Sequence, residues 1–389
     1  MRVCFLLHEL GRAGGMGVIA GHAERLNALD GWQAQVVLTS EPDRYADVEW
    51  DFALATWWET ADALWKVRAR RRGVFLQSLE ERFYGPRELF ERLGAASVLA
   101  LPVDYVTVGS WMRDVLAELR PDARCLVVRN GVDKEVFAAS SAREPSSADR
   151  PLRVLVEGNP GMWLKAIPEA VAAVEAMTEP AELTRIEGGL DPAGMAAAYA
   201  DHDVLLKLSR VEGVALPPIE AMHVGTPCVV TPHTGHEEYV RHRENGLVVG
   251  FDDPGAVAAA LDELARDRTL LARLSDGALR TASEWPSAQD STAELARGLD
   301  ELIAAPEPDV TAAMAALAAR QRLAIELGRA QLGELEWTEQ AYEQAKGTLL
   351  ELRAEMEQRL GDTERELREI REERAYKAAA RVRRIVRRR

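Results

Sequence analysis

The chain has 389 residues, too many for one ordinary core and enough for two domains of roughly 150 residues with a further segment. Hydrophobic residues make up 47% and charged residues 29%, which excludes a disordered or fibrous chain, and no apolar run reaches the ~20 residues that span a bilayer as a helix. The formal net charge is −15, but Tyr376 to Arg389 hold seven basic side chains and no acid, which leaves −22 on the rest; nucleic acid is therefore not an expected partner of the body.

Met1 to Leu7 is apolar and is broken at His8-Glu9, so it is expected as a first strand and not as a leader. A helix from about Gly17 to Leu29 and apolar runs at Ala34 to Leu38 and Phe52 to Ala55 follow. Such alternation predicts a parallel sheet. The rhythm continues through Tyr105 to Val108, a helix at Trp111 to Glu118 and a strand at Cys125 to Val128. Residues 138–150, rich in Ala, Ser and charge without apolar periodicity, read as a linker. A second series runs through Arg153 to Val156, a helix at Ile167 to Met177, and strands at Asp203 to Leu208, Cys228 to Val230 and Leu247 to Val249, then a helix at Pro254 to Ala265. Two such arrays predict an α/β chain with two Rossmann-like domains facing a cleft, and ligands at the carboxyl ends of strands.

Beyond Pro308 no proline occurs, and Ala, Glu, Leu, Arg and Gln predominate, a long-helix composition. Leu335, Thr338, Tyr342, Ala345, Leu349, Leu352, Met356, Leu360, Thr363, Leu367 and Ile370 recur at mostly 3-4 spacing, with one 4-4 step. The pattern fits either an amphipathic helix laid on the protein's own body or a self-associating coiled coil. The expected domains are thus 1–137 (N-terminal, acceptor), 138–150 (linker), 151–305 (nucleotide-sugar donor), 306–375 (helical extension) and 376–389 (basic tail). Cys4, Cys125 and Cys228 have no metal-ligand spacing and fit reduced, buried thiols of a cytoplasmic protein.

The most informative stretch runs from Ser209-Arg210-Val211-Glu212-Gly213-Val214 through Leu216-Pro217-Pro218-Ile219-Glu220 to Gly225-Thr226-Pro227-Cys228. A sugar nucleotide presents vicinal hydroxyls on its ribose and on its sugar, and a carboxylate is a bidentate acceptor for such pairs. Glu212, in a loop after a strand, is placed to meet the sugar. Backbone amides at Gly213 and Val214 approach a helix start, where unsatisfied N–H groups suit a pyrophosphate.

This stretch, with Asp203 upstream and Gly235, Glu238 and Asn245-Gly246-Leu247 downstream, resembles the donor-site signature of glycosyltransferase family four from Tyr199 to Val249. The resemblance implies the GT-B fold, a nucleoside diphosphate sugar as donor substrate without a further cofactor, transfer with retention of configuration, and Glu220 on the ribose hydroxyls. Gly158-Asn159-Pro160-Gly161-Met162-Trp163-Leu164-Lys165 stands where family members carry an arginine and then a lysine on the diphosphate. Lys165 matches the lysine and, with Glu212, is the candidate catalytic pair. Asn159 occupies the arginine's place, so one phosphate cation is unaccounted for. Gly11 to Gly17 resembles the family's N-terminal glycine loop, with Gly14 and Gly15 permitting close approach to the leaving phosphate and Arg12 as a candidate replacement cation. Gly15-Met16-Gly17-Val18-Ile19-Ala20-Gly21 is one residue too long for a dinucleotide fingerprint, which counts against an NAD enzyme.

Ala55-Thr56-Trp57-Trp58-Glu59-Thr60 stands near where the family often has a histidine, and resembles a run of rhamnosyltransferase-type members. Trp57 and Trp58 suit the apolar face of a sugar ring, or plain core packing. Asp201 and Asp203 are short of a metal-ligand set, as are His233, His236 and His242, so no metal is expected. An epimerase-like Rossmann enzyme would need a Tyr-x-x-x-Lys pair; an inactive scaffold acting through its C-terminal helix has the missing arginine as its support. In the tail, Tyr376, Ala379, Val382 and Val386 recur at 3-4 spacing among arginines, which suits an anionic membrane surface. The expected partners are therefore a nucleotide sugar, a glycan or lipid-linked acceptor of cell-surface polysaccharide or glycolipid assembly, the inner face of a membrane, and a second copy through the helix.

Overall fold

The apolar runs become strands of two parallel sheets in the computed structural model, which describes residues 1–11, 14–45, 47–85, 87–138 and 149–386. The chain divides into two units, Met1–Arg320 and Gln321–Arg389. In the first unit, β1 (Arg2–Leu7), β2 (Gln33–Leu38), β3 (Glu49–Ala55), β4 (Arg68–Leu76), β5 (Asp104–Thr107) and β6 (Cys125–Val127) form one sheet in the order β2-β1-β3-β4-β5-β6. All its pairings are parallel. Val3 to Leu7 are buried without alternation, as expected where helices cover both faces. The helices of this half are α1 (Gly14–Leu26), α2 (Leu89–Ser97) and α3 (Ser110–Leu119).

The second sheet contains β7 (Leu152–Glu157), β8 (Ala181–Ile186), β9 (Val204–Lys207), β10 (Cys228–Val230) and β11 (Gly246–Val248), in the order β11-β10-β9-β7-β8. It is flanked by α4 (Ile167–Glu175), α5 (Pro192–Ala200), α6 (Leu216–His223), α7 (Pro254–Arg266) and α8 (Arg268–Glu284). Strand order reverses between β7 and β9, and the loops after those strands open at that switch point, where doubly wound sheets hold ligands.

Local chemistry explains where the elements depart from expectation. The first helix spans Gly14–Leu26 rather than Gly17 to Leu29, because Asn27 leaves the helix to exchange two 2.8 Å hydrogen bonds with the Ala34 backbone. β4, with the sequence RARRRGVFL, is not legible as a central strand; its Arg71 is buried and paired at 2.7 Å with Asp104, whose other oxygen accepts from Arg124 at 3.0 Å. Breaking such a buried pair by removing one partner costs roughly 3–5 kcal/mol. The expected linker, 138–150, lies for the most part outside the described residues.

After α8 the chain crosses back. Trp285 Nε1 donates to the Asn130 carbonyl at 2.8 Å, and a Cβ added at Gly131 would meet the Ser287 carbonyl at 2.2 Å, so the two strands of the crossing lie backbone to backbone. α9 (Ala288–Ala304), opened by a Ser287/Asp290 capping box, then packs on α1 through His22 and Thr292, 2.9 Å apart. α10 (Val310–Val386) is a single helix of 77 residues. In the part belonging to the second unit, Tyr342, Leu349, Leu352, Met356 and Leu360 are exposed, and exposed pairs such as Arg353–Glu357 (3.0 Å) and Arg359–Glu355 (3.1 Å) stitch successive turns. No helix among the described residues is long and apolar enough to cross a membrane.

Candidate active site

The loop between β9 and α6 carries Glu212. Pro217 and Pro218 stand in the first turn of α6, where a missing N–H breaks no helical bond. Glu212 is anchored through its carbonyl, which accepts from the Thr234 hydroxyl at 2.8 Å. Its side chain is 12% exposed, with Oε1 2.7 Å from Lys165 Nζ and 3.7 Å from Lys207 Nζ. Burial would raise a carboxyl, but the charges of Lys207 and Lys165 outweigh it and hold Glu212 down at about 2. Lys207 is 3% exposed and also donates to Glu157 Oε2 at 3.4 Å. Burial pulls its pKa down, and the Glu212 and Glu157 carboxylates overcome that pull, leaving it above its ordinary value. Lys165, Glu212, Lys207 and Glu157 thus form a row of alternating charge.

Lys165 ends a short turn, Trp163–Lys165, and Ala166 at φ 49° swings the chain into α4. Asn159 is exposed, and its side-chain oxygen accepts from the Gly161 amide at 2.8 Å, closing its own loop. Glu220 lies inside α6 with Tyr199 Oη 3.5 Å from its carboxylate. Burial, reinforced by the Glu157 charge, pushes Glu220 up to about 7.

Residues of the first half close on this loop. A Cβ added at Gly213 would lie 1.7 Å from the Gln77 carbonyl, and Trp111 Nε1 donates to the Gly213 carbonyl at 2.8 Å. Val214 is buried beside Gly109. Gly14, at φ 57°, opens α1, and a Cβ on Gly15 would meet the Gln77 amide at 2.7 Å. Arg12 lies outside the described residues. Glu238 Oε1 accepts from Ser110 N and Oγ, both at 2.5 Å, and Oε2 from Arg129 at 3.1 Å, so a carboxylate of the second half sits at the α3 N-terminus of the first.

The two tryptophans part company. Trp57 stacks on Phe83 at 5.8 Å, whereas Trp58 turns inward, donating from Nε1 to Tyr84 Oη at 2.8 Å and lying against Gly94. Core packing therefore describes Trp58. Trp163 Nε1 reaches the Phe83 carbonyl at 3.3 Å from the second half. Asp203 is engaged by Arg150 at 2.7 and 2.8 Å and by the Arg153 amide at 2.9 Å, the setting of a structural carboxylate. Among the described residues no group of three or more His, Cys, Asp or Glu side chains is arranged to hold a metal ion.

Residues 174–281 match the family described as Glycosyl transferases group 1. The match lies within the second Rossmann half. D-inositol 3-phosphate glycosyltransferase of Thermobispora bispora is 32% identical over 144 residues, covering 37% of this chain and 33% of that protein. The lipopolysaccharide core biosynthesis mannosyltransferase LpsB of Rhizobium meliloti is 34% identical over 98 residues, covering 24% of this chain and 28% of that protein. The chain therefore matches about a third of the length of these relatives. Among solved structures, sucrose-phosphate synthase of Thermosynechococcus elongatus superposes with a TM-score of 0.66 at 15% identity, over 78% of this chain and 100% of that one. Anabaena Alr3699/HepE, in complex with UDP and glucose, gives 0.61 at 13% identity over 77% and 100%. The fold is that of the GT-B glycosyltransferases.

The matched segment contains Glu212, Glu220 and Lys207 but not Lys165, which the loop after β7 brings to it. Lys207, Glu157, Gln77 and Trp111 are not among the candidate site residues named from the sequence. One signal for Lys207 existed: a lysine closing the apolar run Val204-Leu205-Leu206.

Proposed function

We propose that the chain is a glycosyltransferase that moves a sugar from a nucleoside diphosphate sugar to a hydroxyl, with retention of configuration. The observation that carries this reading is the ionised Glu212 held 2.7 Å from Lys165 in the loop that opens α6. In this reading Lys165 neutralises the departing diphosphate, Glu212 accepts from hydroxyls of the transferred sugar, and Glu220 accepts from the ribose. The unsatisfied N–H groups at the starts of α1 and α6 add positive ends toward the phosphates. Rate enhancement then comes from positioning and from stabilising charge on the leaving group, without a resident metal. The Anabaena neighbour's complex with UDP and glucose supports a nucleotide sugar as donor. Trp57 stacked on Phe83 offers an apolar platform for the sugar or a glycan acceptor.

Two further parts of the reading concern the C-terminal unit. The exposed seam through Tyr342, Leu349, Leu352 and Met356 suits a second copy of α10, and the basic tail suits an anionic bilayer, so the acceptor is a lipid-linked or membrane-proximal glycan of cell-surface assembly. The core of the proposal is tested by thermal unfolding of wild type and Glu212→Gln with UDP-, GDP- and dTDP-sugars after EDTA treatment. One nucleotide class should raise the wild-type midpoint, by up to about 2.7 kcal/mol of stabilisation at a hundredfold excess over Kd. No shift with any donor, or a shift that requires Mg2+ or Mn2+ to be restored, would refute the reading in its present form.

A further inference from the structure

The diphosphate of a sugar nucleotide needs positive charge, and the loop after β7 offers one cation, Lys165, with Asn159 tied into its own turn. Yet a second ammonium stands behind the site. Lys207 closes β9 between Leu206 and Leu208, is 3% exposed, and reaches Glu157 at 3.4 Å and Glu212 at 3.7 Å. Burying a lysine costs several kcal/mol before any pairing is regained, and packing alone would be served by another leucine at this position. Lys165 differs from it in access and in the element that carries it. Its side chain is 22% exposed, on a short turn rather than a strand. If Lys165 turns to a diphosphate, Glu212 loses its nearest cation while remaining largely shielded from water.

We propose that Lys207 is the fixed counter-charge of Glu212: it keeps that carboxylate ionised and aimed at the donor sugar while Lys165 is released to the diphosphate, and Glu157 holds Lys207 in place from the other side. The inference rests on the glycosyltransferase reading and deepens it, making Lys207 a positioning residue that does not touch the substrate. The groups that face Glu212 include Lys165 from the β7–α4 loop, Lys207 from β9, and His233 and the buried, neutral Tyr239 from the segment after β10; Glu157 and Glu220 lie across Lys207. His233 is buried and its pKa is lowered by that burial, so it supplies little positive charge at neutral pH.

The test compares Lys207→Met, Lys165→Met and the double variant Glu157→Gln/Lys207→Met, which removes a neighbouring anion with the cation and so guards against loss of the fold. The first readout needs no donor. Glu212 stands at about 2 in the folded chain against an ordinary 4.5, so its contribution to stability is present above the ordinary value and is lost as pH falls through the folded one. The stability that wild type holds over Glu212→Gln near neutral pH, and loses in acid, should shrink markedly when the same comparison is made in Lys207→Met or in the double variant. An unchanged difference overturns the coupling. The second readout is calorimetric binding of UDP, GDP and dTDP, with hydrolysis of the corresponding nucleotide sugar. Lys165→Met should weaken the bound nucleotide by at least about tenfold, and Lys207→Met by less than about threefold. In Lys207→Met, kcat should nevertheless fall on the order of a hundredfold, with its acidic limb moved to higher pH. Equal loss of nucleotide affinity in both single variants would make Lys207 a phosphate ligand and overturn the proposal, as would wild-type kcat with an unmoved pH profile. If wild type binds none of the three nucleotides, the glycosyltransferase reading fails, and the acid-stability comparison still decides the pairing of Lys207 with Glu212.

Discussion

Glu220 shows how a single residue can cost stability where it serves binding. Its carboxyl is largely withdrawn from water, feels the Glu157 charge and stands at about 7, against an ordinary 4.5. A group raised in the folded state contributes stability that is fully present below its unfolded pKa and is lost as pH rises through the folded one. At pH 8 the ionised Glu220 is therefore a burden, on the order of 2–3 kcal/mol. Glu220→Gln should raise the unfolding midpoint relative to wild type at pH 8, with the difference fading near pH 5, while turnover of the identified donor falls about a hundredfold. Equal midpoint differences at both pH values would show that the carboxylate is not strained by its surroundings. Glu212 stands out in the sequence as a carboxylate in a loop between a strand and a helix start, whereas the roles of Glu220 and Lys165 come only from the resemblance to the glycosyltransferase family four signature. Lys207 does not stand out, since a strand-end lysine ordinarily reads as solvated, and only its burial shows otherwise.

At the scale of elements, the apolar strands are legible where burial on both faces makes the run continuous, as in β1 and β9. β4 escapes because its first half is rich in arginine, and the partner that makes Arg71 tolerable, Asp104, lies on another strand. The same limit applies to the Gly213 loop. Its glycine reads as a helix approach, yet the structure places the Gln77 carbonyl where a side chain would stand, and sets Gly235 (φ 84°) against the Gly213 carbonyl. Backbone lies on both sides, so neither neighbour yields cheaply. Gly213→Ala should cost about 1–3 kcal/mol of stability by overpacking and should weaken donor binding in parallel. Gly250→Ala, where a Cβ meets nothing within 4 Å, is the control for the loss of glycine itself. Denaturant midpoints compare the two, and equal costs would show that the halves are not pressed together at Gly213.

At the scale of the whole molecule, composition foretells a long helix and a charge reversal near the end of the chain. α10 runs to Val386, and the basic side chains from Lys377 onward belong to its last turns and to residues beyond. Each basic residue near an anionic surface is worth ~1 kcal/mol, so the segment should hold the protein on acidic vesicles at low salt and release it as salt rises. Co-sedimentation of the full chain with neutral and anionic vesicles, against a chain ending at Arg374, measures this. Equal pelleting of both on anionic vesicles would assign the tail no membrane role.

The sequence by itself determined the alternation of strands and helices, the eight-residue separation of Glu212 from Glu220, and the presence of a long helix near the end of the chain. These follow from periodicity and residue type within a short window, where the chain's own covalent geometry sets the outcome. Only the tertiary structure decided that α9 returns to pack on α1, that Gln77 meets Gly213, that Trp57 and Trp58 face different surroundings, and that Lys207 stands behind Glu212. Those arrangements join residues far apart in the chain, and they are selected by the burial of apolar surface and by the need of every buried charge for a partner, which no local pattern records.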